Sequence, residues 1–419
     1  MQMLYNIGIR IYGVLIYLYS PFYRKAAQWI AGRAHLYQDT ERITRSWNGS
    51  GGGVMWFHCA SLGEFEQGRP IMEAMKSEHP AWKLVVTFFS PSGYLIRKEY
   101  PVADLVTYLP LDTPGNVHRW VELIRPTIVF FIKYEYWFNM MLELEHRKVP
   151  FFFAAATFRQ NMIFFRWYGR WFLNSLQAAT WIFVQQESSE RFLMQNGLRR
   201  VSVSGDTRFD RVAATAARAE HVPAVQHFCG RARIIMAGSS WTEEEEILIP
   251  FIREKEQDPD VKFIIAPHDV RPARIRDIQE RMRIPTVCYS ELAGHSNPVE
   301  KVLIIDAIGL LARLYRYAYL ALIGGAFGAG LHNILEAVAF GVPVLFGPRH
   351  HRFWEAEALI REGGAWCIKT DSDFREQASL LLMDHQRHRT ASRICTSFID
   401  RNKGATRHIL SKTAELISL

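Results

Sequence analysis

The chain has 419 residues, of which 49% are hydrophobic and 13% aromatic, so it carries enough apolar material for two buried cores. Its net charge of +8 favours partners that carry phosphate, such as a nucleotide, a nucleic acid or an anionic membrane. The five cysteines are widely spaced and form no Cys-x-x-Cys pair, which argues against a zinc finger or a disulfide-framed fold and for a reducing compartment.

The N-terminal segment is apolar and aromatic over residues 3–19, apart from Asn6 and Arg10. Its uninterrupted apolar run, residues 11–19, is too short to span a bilayer, and no small-residue cleavage site follows it. We therefore interpret residues 1–46 as a membrane-associated helical segment whose first helix lies in the membrane interface. A helix packed on the first domain and a tilted membrane span are the alternatives.

Short apolar runs recur along the rest of the chain, each followed by a polar or helical stretch. In the first half these runs are 54–58, 84–88, 105–109, 127–132, 151–155, 181–184 and 201–204. In the second half they are 234–237, 262–266, 302–305, 319–323 and 343–346. Continuous apolar runs are typical of strands buried on both faces, and hence of parallel sheets with helical crossovers.

The two sets of strands are separated by residues 212–231, an Ala-rich polar stretch. We therefore predict an α/β fold of two doubly wound, Rossmann-like domains with an inter-domain cleft, because ligands of such folds bind at the carboxyl ends of the strands. The predicted domains are 47–215 and 230–375, and C-terminal helices are expected over 376–419.

The first polar segment that follows a predicted strand is His58-Cys-Ala-Ser-Leu-Gly-Glu-Phe-Glu66. Gly63 is expected to make a sharp turn into a helix that runs through Met75. Glu64 would then lie in the first helical turn, where the helix dipole favours the ionised carboxylate and suits a general base. The alternative is that Glu64 and Glu66 only complement the positive end of the helix.

A second segment, Lys133-Tyr-Glu-Tyr-Trp-Phe-Asn139, follows the predicted strand 127–132. Glu135 is flanked by aromatic residues at the strand end, which is compatible with a raised pKa or a hydrogen bond to substrate. An aromatic core with one peripheral glutamate fits the same pattern equally well.

The stretch Phe158–Phe172 mixes Arg159, Arg166 and Arg170 with aromatic residues. Arginine interleaved with aromatic rings suits phosphorylated amphiphiles at a membrane surface. It also suits a stacking platform for single-stranded nucleic acid, and the remaining alternative is a buried aromatic helix.

The strongest local signal is the Gly-rich segment Leu320–Glu336. A buried strand ends at Gly324, and a helix is expected from His332 or Asn333. Glycines before a helix N-terminus form an anion site, because the backbone N–H groups can approach the ligand closely. The glycines of the predicted loop are Gly324, Gly325, Gly328 and Gly330.

Two polar residues complete this segment. Asn333 can cap the helix, and Glu336 is expected one turn inside it, where its carboxylate could accept ribose hydroxyls. A tight turn followed by a capped helix is the alternative interpretation. A Rossmann dinucleotide site is disfavoured, because the loop follows a late strand rather than the first.

The sequence predicts no metal site and no cofactor. Asp258-Pro-Asp260 and Asp371-Ser-Asp373 have the Asp-x-Asp spacing of metal-dependent glycosyltransferases, but both lie in polar contexts typical of surface turns. His350 and His351 are followed by Arg352, which indicates anion binding rather than metal binding.

Taken together, these segments resemble the 3-deoxy-D-manno-octulosonic acid (Kdo) transferases of lipopolysaccharide synthesis over nearly the whole chain, from about residue 5 to 407. Each segment is modest alone, but their order and spacing are specific to the family. The matching segments are His58–Glu64, Glu135–Trp137, Gln185–Glu187, Gly205–Asp210, Gly238–Thr242, Gly324–Glu336 and Gly341–Pro348.

The resemblance implies a metal-independent, inverting glycosyltransferase of the GT-B type at the cytoplasmic face of the bacterial inner membrane. It would move Kdo from CMP-Kdo to a lipid A precursor, with Glu64 as general base. The implied acceptor-binding residues are Ser61, Gly63, Glu135, Arg159 and Arg166. The implied donor-binding residues are Pro267, His268, Gly324, Gly325, His332, Asn333 and Glu336.

The chain departs from the family pattern at the Pro-Arg-His segment, which is Pro267-His268-Asp269 here and lacks the arginine. Arg271 is the candidate to replace it. Lys133 stands where the family has an acid. The alternatives to Kdo transfer are a UDP-sugar transferase or epimerase on the same fold, and a basic nucleic-acid-binding protein. The last is disfavoured, because lysines and arginines are dispersed and no recognition motif is present.

Overall fold

The computed structural model describes residues 2–47, 51–159, 162–166, 169–292, 299–328 and 330–417. The chain divides into two compact units, Met1–Arg211 with Lys403–Leu419 and Val212–Asn402. The division falls at the start of the polar stretch 212–231.

The first unit is built on one parallel sheet of seven strands, in the order β3-β2-β1-β4-β5-β6-β7. The strands are β1 (Val54–Cys59), β2 (Lys83–Phe88), β3 (Leu105–Tyr108), β4 (Ile128–Ile132), β5 (Phe151–Ala156), β6 (Trp181–Val184) and β7 (Val201–Val203). The helices are α1 (Gln2–Tyr19), α2 (Arg24–Ala31), α3 (Leu36–Arg45), α4 (Leu62–Glu78), α5 (Pro91–Arg97), α6 (Pro114–Ile124), α7 (Phe138–His146), α8 (Arg170–Leu176) and α9 (Glu187–Gln195). A 3-10 turn, Ile163–Phe165, precedes α8.

Helix α10 (Thr207–Arg218) runs through the division, and the second unit has its own seven-stranded parallel sheet, in the order β10-β11-β9-β8-β12-β13-β14. Its strands are β8 (Arg233–Ser240), β9 (Val261–Pro267), β10 (Thr286–Cys288), β11 (Val302–Ile304), β12 (Ala318–Ile323), β13 (Val344–Phe346) and β14 (Ala365–Cys367). Its helices are α11 (Pro223–Cys229), α12 (Thr242–Glu254), α13 (Pro272–Met282), α14 (Leu311–Leu314), α15 (Leu335–Val338), α16 (Trp354–Glu362), α17 (Asp371–Met383) and α18 (His385–Asn402). The last helix, α19 (Ala405–Leu416), belongs to the first unit.

Both sheets confirm the prediction from continuous apolar runs, since every predicted strand is present and every strand pairing is parallel. In β1, Trp56 packs in one core cluster while its neighbours Met55 and Phe57 pack in another, and all three are fully buried. Apolar side chains therefore cover both faces of the sheet. Much of the high aromatic content lies here, because Phe151, Phe152 and Phe153 all point into these two cores.

The C-terminal helix shows why the chain returns to the first unit. Ile409 of α19 is fully buried in a core cluster of that unit. The carboxylate of Asp210 accepts hydrogen bonds from the backbone N–H groups of Gly404 and Thr406, at 2.5 and 2.7 Å, and so caps α19. The expectation of one C-terminal helical segment over 376–419 therefore differs from the observed division at Lys403.

Helix α1 contacts the first unit through aromatic rings and through two polar groups. The Tyr5 ring packs edge-on against Phe138, with ring centroids 5.4 Å apart, and Tyr12 stacks on Phe89. The Tyr5 hydroxyl donates a 2.7 Å hydrogen bond to the buried carboxylate of Asp112, and Asn139 donates one of 2.7 Å to the side-chain oxygen of Asn6. The helix contains no buried residue. Its exposed apolar side chains include Met3, Leu4, Ile11, Val14, Leu15 and Leu18. Within the described ranges, no helix combines the length and hydropathy needed to cross a membrane.

Candidate active site

The strand orders mark one position in each sheet where ligands of parallel α/β folds bind. In the first sheet, β1 lies between β2 and β4, so the chain leaves the carboxyl ends of β1 and β4 towards opposite faces. In the second sheet, β8 lies between β9 and β12 in the same way. Of the predicted acceptor residues, Ser61, Gly63 and Glu64 follow β1, Glu135 follows β4, and Arg159 and Arg166 follow β5. Of the predicted donor residues, Pro267 and His268 lie at the end of β9, and the Gly-rich loop follows β12.

Glu64 lies in the first turn of α4, directly after β1. Ser61 is the N-cap residue, and its backbone N–H donates a 2.9 Å hydrogen bond to Oε2 of Glu64, which completes a capping box. The glutamate is 8% exposed. Gly63 is part of the helix, so the prediction that it makes the turn is wrong; the extended backbone of Ser61 does so. A Cβ at Gly63 would meet the Ser61 hydroxyl at 4.0 Å, an ordinary van der Waals distance, so the site does not sterically require glycine here.

Glu135 is the second carboxylate of this site, and a hydrogen-bond chain fixes its position. His58, which is fully buried, donates from Nε2 to Oε2 of Glu135 at 2.9 Å, and Trp137 donates from Nε1 to the same oxygen at 2.7 Å. The other ring nitrogen of His58 is 2.9 Å from the hydroxyl of Thr87. Glu135 is therefore part of a buried polar network rather than a peripheral residue of an aromatic core.

The two carboxylates influence each other. Burial, and then the negative charge of Glu135, raise the pKa of Glu64 to about 7, while the N–H group of Ser61 and the charge of Lys133 oppose that rise. A carboxylate with a pKa near neutrality is well matched to general-base catalysis, because it is partly ionised at working pH and still basic enough to accept a proton.

Cationic side chains lie around these carboxylates. Lys133 has a left-handed backbone conformation, with φ at 71°, and burial together with the charge of Arg208 lowers the pKa of its ammonium. Arg208 is held by the buried Asp206, with its Nε 2.8 Å from Oδ2. Arg159 is exposed and acts electrostatically on Lys133. Arg166, the other predicted acceptor-binding arginine, is also exposed.

The aromatic residues around Arg159 and Arg166 do not form the surface platform that the sequence predicted. Phe164 is buried in the core of the first unit, and Phe165 and Phe172 pack against that core. Trp171 packs edge-on against Phe138, with ring centroids 4.5 Å apart. Phe164 is therefore part of the core, while Phe165, Trp171 and Phe172 are partly buried and pack against other rings of the first unit. Trp167 and Tyr168 lie outside the described residues, as does the side chain of Arg170.

In the second unit, the Gly-rich loop after β12 folds tightly against β8. Gly324 donates its N–H to the carbonyl of Gly238 at 2.9 Å, and His332 donates to the carbonyl of Gly324 at 3.1 Å. A Cβ at Gly324 would overlap the backbone of Ser239. Gly325 has a φ of 89° and its Cβ position is blocked by Gly330, so both predicted glycines are sterically required.

Three aromatic rings stack beside this loop. The Trp241 and His268 rings are 4.4 Å apart at 20°, and the His268 and His332 rings are 4.8 Å apart at 27°. Trp241 also donates from Nε1 to Nε2 of His332 at 3.1 Å, so that nitrogen carries no proton. Burial, and then the nearby charge of His268, lower the pKa of His332. Pro267, the last residue of β9, is buried and leads directly into this stack.

Trp241 and Glu244 are residues of this site that the sequence analysis did not assign. The carboxylate of Glu244 is fully buried and accepts hydrogen bonds of 2.9 Å from the N–H groups of Trp241 and Gly325, so it ties the start of α12 to the Gly-rich loop. Both residues directly follow β8, and their position after a predicted strand was a signal that could have identified them.

The helix after the Gly-rich loop differs from its prediction. It begins at Leu335 rather than His332 or Asn333, and is four residues long. Asn333 accepts from the N–H of Leu335 at 3.2 Å and donates to Oε1 of Glu336 at 3.2 Å. Glu336 therefore lies in the first turn, not one turn inside, and so short a helix adds little dipole to an anion site.

An arginine that the sequence analysis passed over lies at the same loop. Arg349, after β13, donates from Nη1 to the carbonyl of Gly328 at 2.5 Å, and its backbone N–H donates to Ala326 at 2.9 Å. Arg271, the residue suggested as a replacement for the missing arginine, instead pairs with Asp269 and its side chain is 83% exposed.

The two Asp-x-Asp motifs and the His350-His351 pair make hydrogen bonds or ion pairs within the second unit. Asp258 accepts from the N–H of Asp260 at 3.0 Å, as expected for a surface turn. Asp373 accepts from the N–H of Thr370 at 3.1 Å and caps α17, so this motif is a helix start rather than a turn. His350 and His351 both face the carboxylate of Glu357, which disfavours the anion site that the sequence indicated there.

Comparison with known proteins identifies relatives of this chain. Residues 33–211 match a family model described as 3-deoxy-D-manno-octulosonic-acid transferase (kdotransferase). A 3-deoxy-D-manno-octulosonic acid transferase of Aquifex aeolicus is 29% identical over 336 residues, which cover 79% of this chain and 86% of that protein. The transferase of the same name from Chlamydophila psittaci is 25% identical over 353 residues, covering 81% and 79%.

Among solved structures, UDP-GlcNAc 2-epimerase from Neisseria meningitidis bound to UDP-GlcNAc has a TM-score of 0.59 at 15% identity, covering 86% of this chain and 99% of that one. This likeness shows the fold. The two parallel sheets, with polar residues after the central strands of each, define a protein of the GT-B class with two Rossmann-like domains.

Within that class, the chain is similar to 3-deoxy-D-manno-octulosonic acid transferases, whose family model matches residues 33–211 and whose listed relatives align with 79% and 81% of the chain.

Proposed function

We propose that this protein transfers Kdo from CMP-Kdo to a hydroxyl group of a lipid A precursor, with inversion at the anomeric carbon and with Glu64 as the general base. The observation that carries the proposal is the pair of buried carboxylates after β1 and β4, in which Glu135 and burial raise the pKa of Glu64 to about 7. An inverting transfer needs one base to take the proton of the attacking hydroxyl, and Glu64 has the basicity for that task.

Glu135 acts as a positioning residue in this proposal. Its Oε2 accepts hydrogen bonds from His58 and Trp137, which fix the position of this carboxylate beside Glu64. Lys133, Arg159 and Arg166 supply positive charge that suits the phosphate groups of a phosphorylated glycolipid.

The donor binds in the second unit. CMP-Kdo carries a single phosphate, so backbone N–H groups of the Gly-rich loop together with one arginine are sufficient to stabilise the leaving group without a metal ion. Arg349 is the arginine that lies at this loop. The stacked rings of Trp241, His268 and His332 offer a flat surface for the base or sugar of the nucleotide.

The enzyme works at the cytoplasmic face of the inner membrane, where helix α1 lies in the interface. Its exposed apolar side chains, among them Leu15 at 57% and Leu18 at 62%, form the kind of apolar face that binds a membrane interface. In this proposal α1 supplies the apolar part of the membrane association, as the sequence predicted, and Arg159 and Arg166 supply the electrostatic part, while the partly or fully buried rings of 158–172 contribute less.

A donor screen tests the donor and the absence of a metal together. The protein is incubated with lipid A precursor and either CMP-Kdo or a UDP-hexose, each with and without EDTA. The proposal predicts transfer from CMP-Kdo alone and no loss with EDTA, because neither the base nor the leaving-group contacts use a metal. Transfer from a UDP-hexose would support the alternative of a UDP-sugar enzyme, and inhibition by EDTA that Mg²⁺ reverses would refute the metal-independent mechanism.

A further inference from the structure

The loop after β13 brings together three side chains that can ligate a metal. Among the described residues, His350, His351 and Glu357 form a group whose ligand atoms all lie within 4.8 Å of one another. Nδ1 of His351 is 2.6 Å from Oε1 of Glu357, and Nε2 of His350 is 3.4 Å from the same oxygen. We propose that these three residues bind a Zn²⁺-type transition-metal ion, an activity separate from the transfer proposed above.

The geometry is close to what such an ion needs. In a tetrahedral site with metal–ligand bonds of about 2.0–2.1 Å, neighbouring ligand atoms are about 3.3 Å apart. The distance from His350 to Glu357 already has this value, and the exposed side chain of His351 can rotate to open its own distance to Glu357. Two imidazoles and one carboxylate with an open fourth position are typical of zinc, while Mg²⁺ prefers an all-oxygen shell.

The orientation of His350 is an independent observation in favour of the site. Its side chain is 6% exposed, and its Nδ1 is 3.1 Å from the carbonyl oxygen of Gly347, to which it donates. That hydrogen bond places the proton on Nδ1 and leaves the Nε2 lone pair directed towards Glu357. Metal-binding histidines commonly have this arrangement, in which a backbone carbonyl fixes the tautomer and the ring orientation.

The position of the proposed metal site, between the loop after β13 and helix α16, indicates the role of the ion. His350 and His351 directly follow Arg349, whose guanidinium contacts the Gly-rich loop, and Glu357 lies in helix α16. An ion held by all three side chains would fasten the loop that carries Arg349 to α16. The ion therefore has a structural role in the second unit and is not itself a reactant in the proposed transfer.

The test is calorimetric titration of Zn²⁺ into chelator-treated, full-length protein, with Mg²⁺ as the control ion. The proposal predicts one saturable Zn²⁺ site and no comparable Mg²⁺ binding. His351→Ala and Glu357→Gln are expected to weaken Zn²⁺ binding by more than about 100-fold, because loss of a direct ligand exceeds the roughly 10–100-fold effect of an outer partner. Both side chains are substantially exposed, so these variants are expected to fold.

His118→Ala is the matched control, because His118 is an exposed histidine beside two carboxylates, Glu122 and Glu143, at 3.8 and 3.1 Å. It should leave the Zn²⁺ affinity unchanged. The visible spectrum of the Co²⁺-loaded wild type should show tetrahedral bands that His351→Ala lacks. Absence of a saturable site, or equal Zn²⁺ affinity in wild type and His351→Ala, would overturn the proposal. Transferase activity measured on the metal-free protein keeps this result separate from the proposed function.

Discussion

At the scale of single residues, the chemistry depends on how a glutamate at a helix N-terminus acquires a pKa near neutrality. The helix end and the N–H group of Ser61 favour the ionised form, and on their own would keep the pKa of Glu64 low. Burial and the charge of Glu135 outweigh them and raise the pKa of Glu64 to about 7. The sequence indicated Glu64 through its place after a strand. It did not indicate the raised pKa, because the charge that helps to raise it belongs to Glu135, 71 positions further along the chain.

The first prediction concerns the pH dependence of kcat/KM. Glu64 acts in its ionised form, so activity should rise with pH through an apparent pKa of about 7. In Glu135→Gln the negative charge that raises the pKa of Glu64 is gone, so the acidic limb should move to lower pH. The measurement is the pH profile of transfer for both proteins.

Glu66→Gln is the control for that profile. Glu66 lies two residues after Glu64, but its carboxylate is paired with Arg97 and Arg211 at 2.5 and 3.0 Å, and it is not among the causes of the raised pKa of Glu64. Its profile should therefore match the wild type. If the acidic limb of the pH profile does not move in Glu135→Gln, the ionisation that controls kcat/KM belongs to a group other than Glu64.

The second prediction concerns the donor. Glu336→Ala should raise the Michaelis constant for CMP-Kdo about five- to tenfold, the equivalent of one hydrogen bond, and leave kcat nearly unchanged. The reason is that a ribose contact is made in both the ground state and the transition state. Asn333→Ala is the comparison, because it removes the same Asn333–Glu336 hydrogen bond. Steady-state kinetics that give an unchanged donor constant in Glu336→Ala, with the fold intact, would leave Glu336 as a helix-capping residue only.

At the scale of elements, the strands were predictable from the sequence because burial on both faces leaves a continuous apolar run. The two strands that were not predicted, β10 and β14, are three residues long and lie at the outer edges of the second sheet. Their sequences, Thr-Val-Cys and Ala-Trp-Cys, lack the aliphatic runs that mark the equally short strands β11 and β13. The start of α15 was predicted too early, because Asn333 caps by bonding to Leu335 rather than by beginning the helix itself.

The stretch 158–172 shows what periodicity leaves open. Its composition fits a surface platform and a buried core equally well. Which of the two forms depends on whether the rings contact other apolar side chains in the fold. Phe164 and Phe172 pack against each other with ring centroids 5.5 Å apart within the core of the first unit, while Arg159 and Arg166 stay exposed. Only tertiary contacts decide this, so the sequence alone could not.

The third prediction concerns helix α1. Leu15→Ser with Leu18→Ser should strongly weaken binding to anionic liposomes, because each buried leucine contributes roughly 1.5–3 kcal/mol. Arg159→Ser with Arg166→Ser should remove only the salt-sensitive part of the binding free energy, about 1 kcal/mol per arginine. Liposome co-sedimentation at low and high salt measures both effects.

Ile96→Ser is the control for the leucine variant, since Ile96 is 59% exposed on helix α5 of the same unit. It should bind liposomes like the wild type. If the leucine variant also binds like the wild type, α1 is not the membrane-binding element, and its exposed apolar face serves another partner.

At the scale of the whole molecule, the sequence predicted two parallel α/β domains and the order of the polar segments along them. It did not predict that α19 would belong to the first unit, because the capping of α19 by Asp210 joins residues almost 200 positions apart. It also missed the pairing of His58 with Glu135, which requires β1 and β4 to be neighbours in the sheet. Long-range neighbours of this kind follow from strand order, which a single sequence does not reveal.

The most direct test of the central claim is mass spectrometry of a lipid A precursor incubated with CMP-Kdo and either wild-type protein or Glu64→Gln. The account predicts that the wild type adds the mass of Kdo to the precursor, and that Glu64→Gln folds normally but transfers on the order of 10²–10⁴ times more slowly, as loss of a general base implies. A wild-type protein that adds no Kdo would contradict the proposed function. A Glu64→Gln variant that keeps more than about a third of the wild-type rate would contradict the role of Glu64, because loss of a general base costs far more than that.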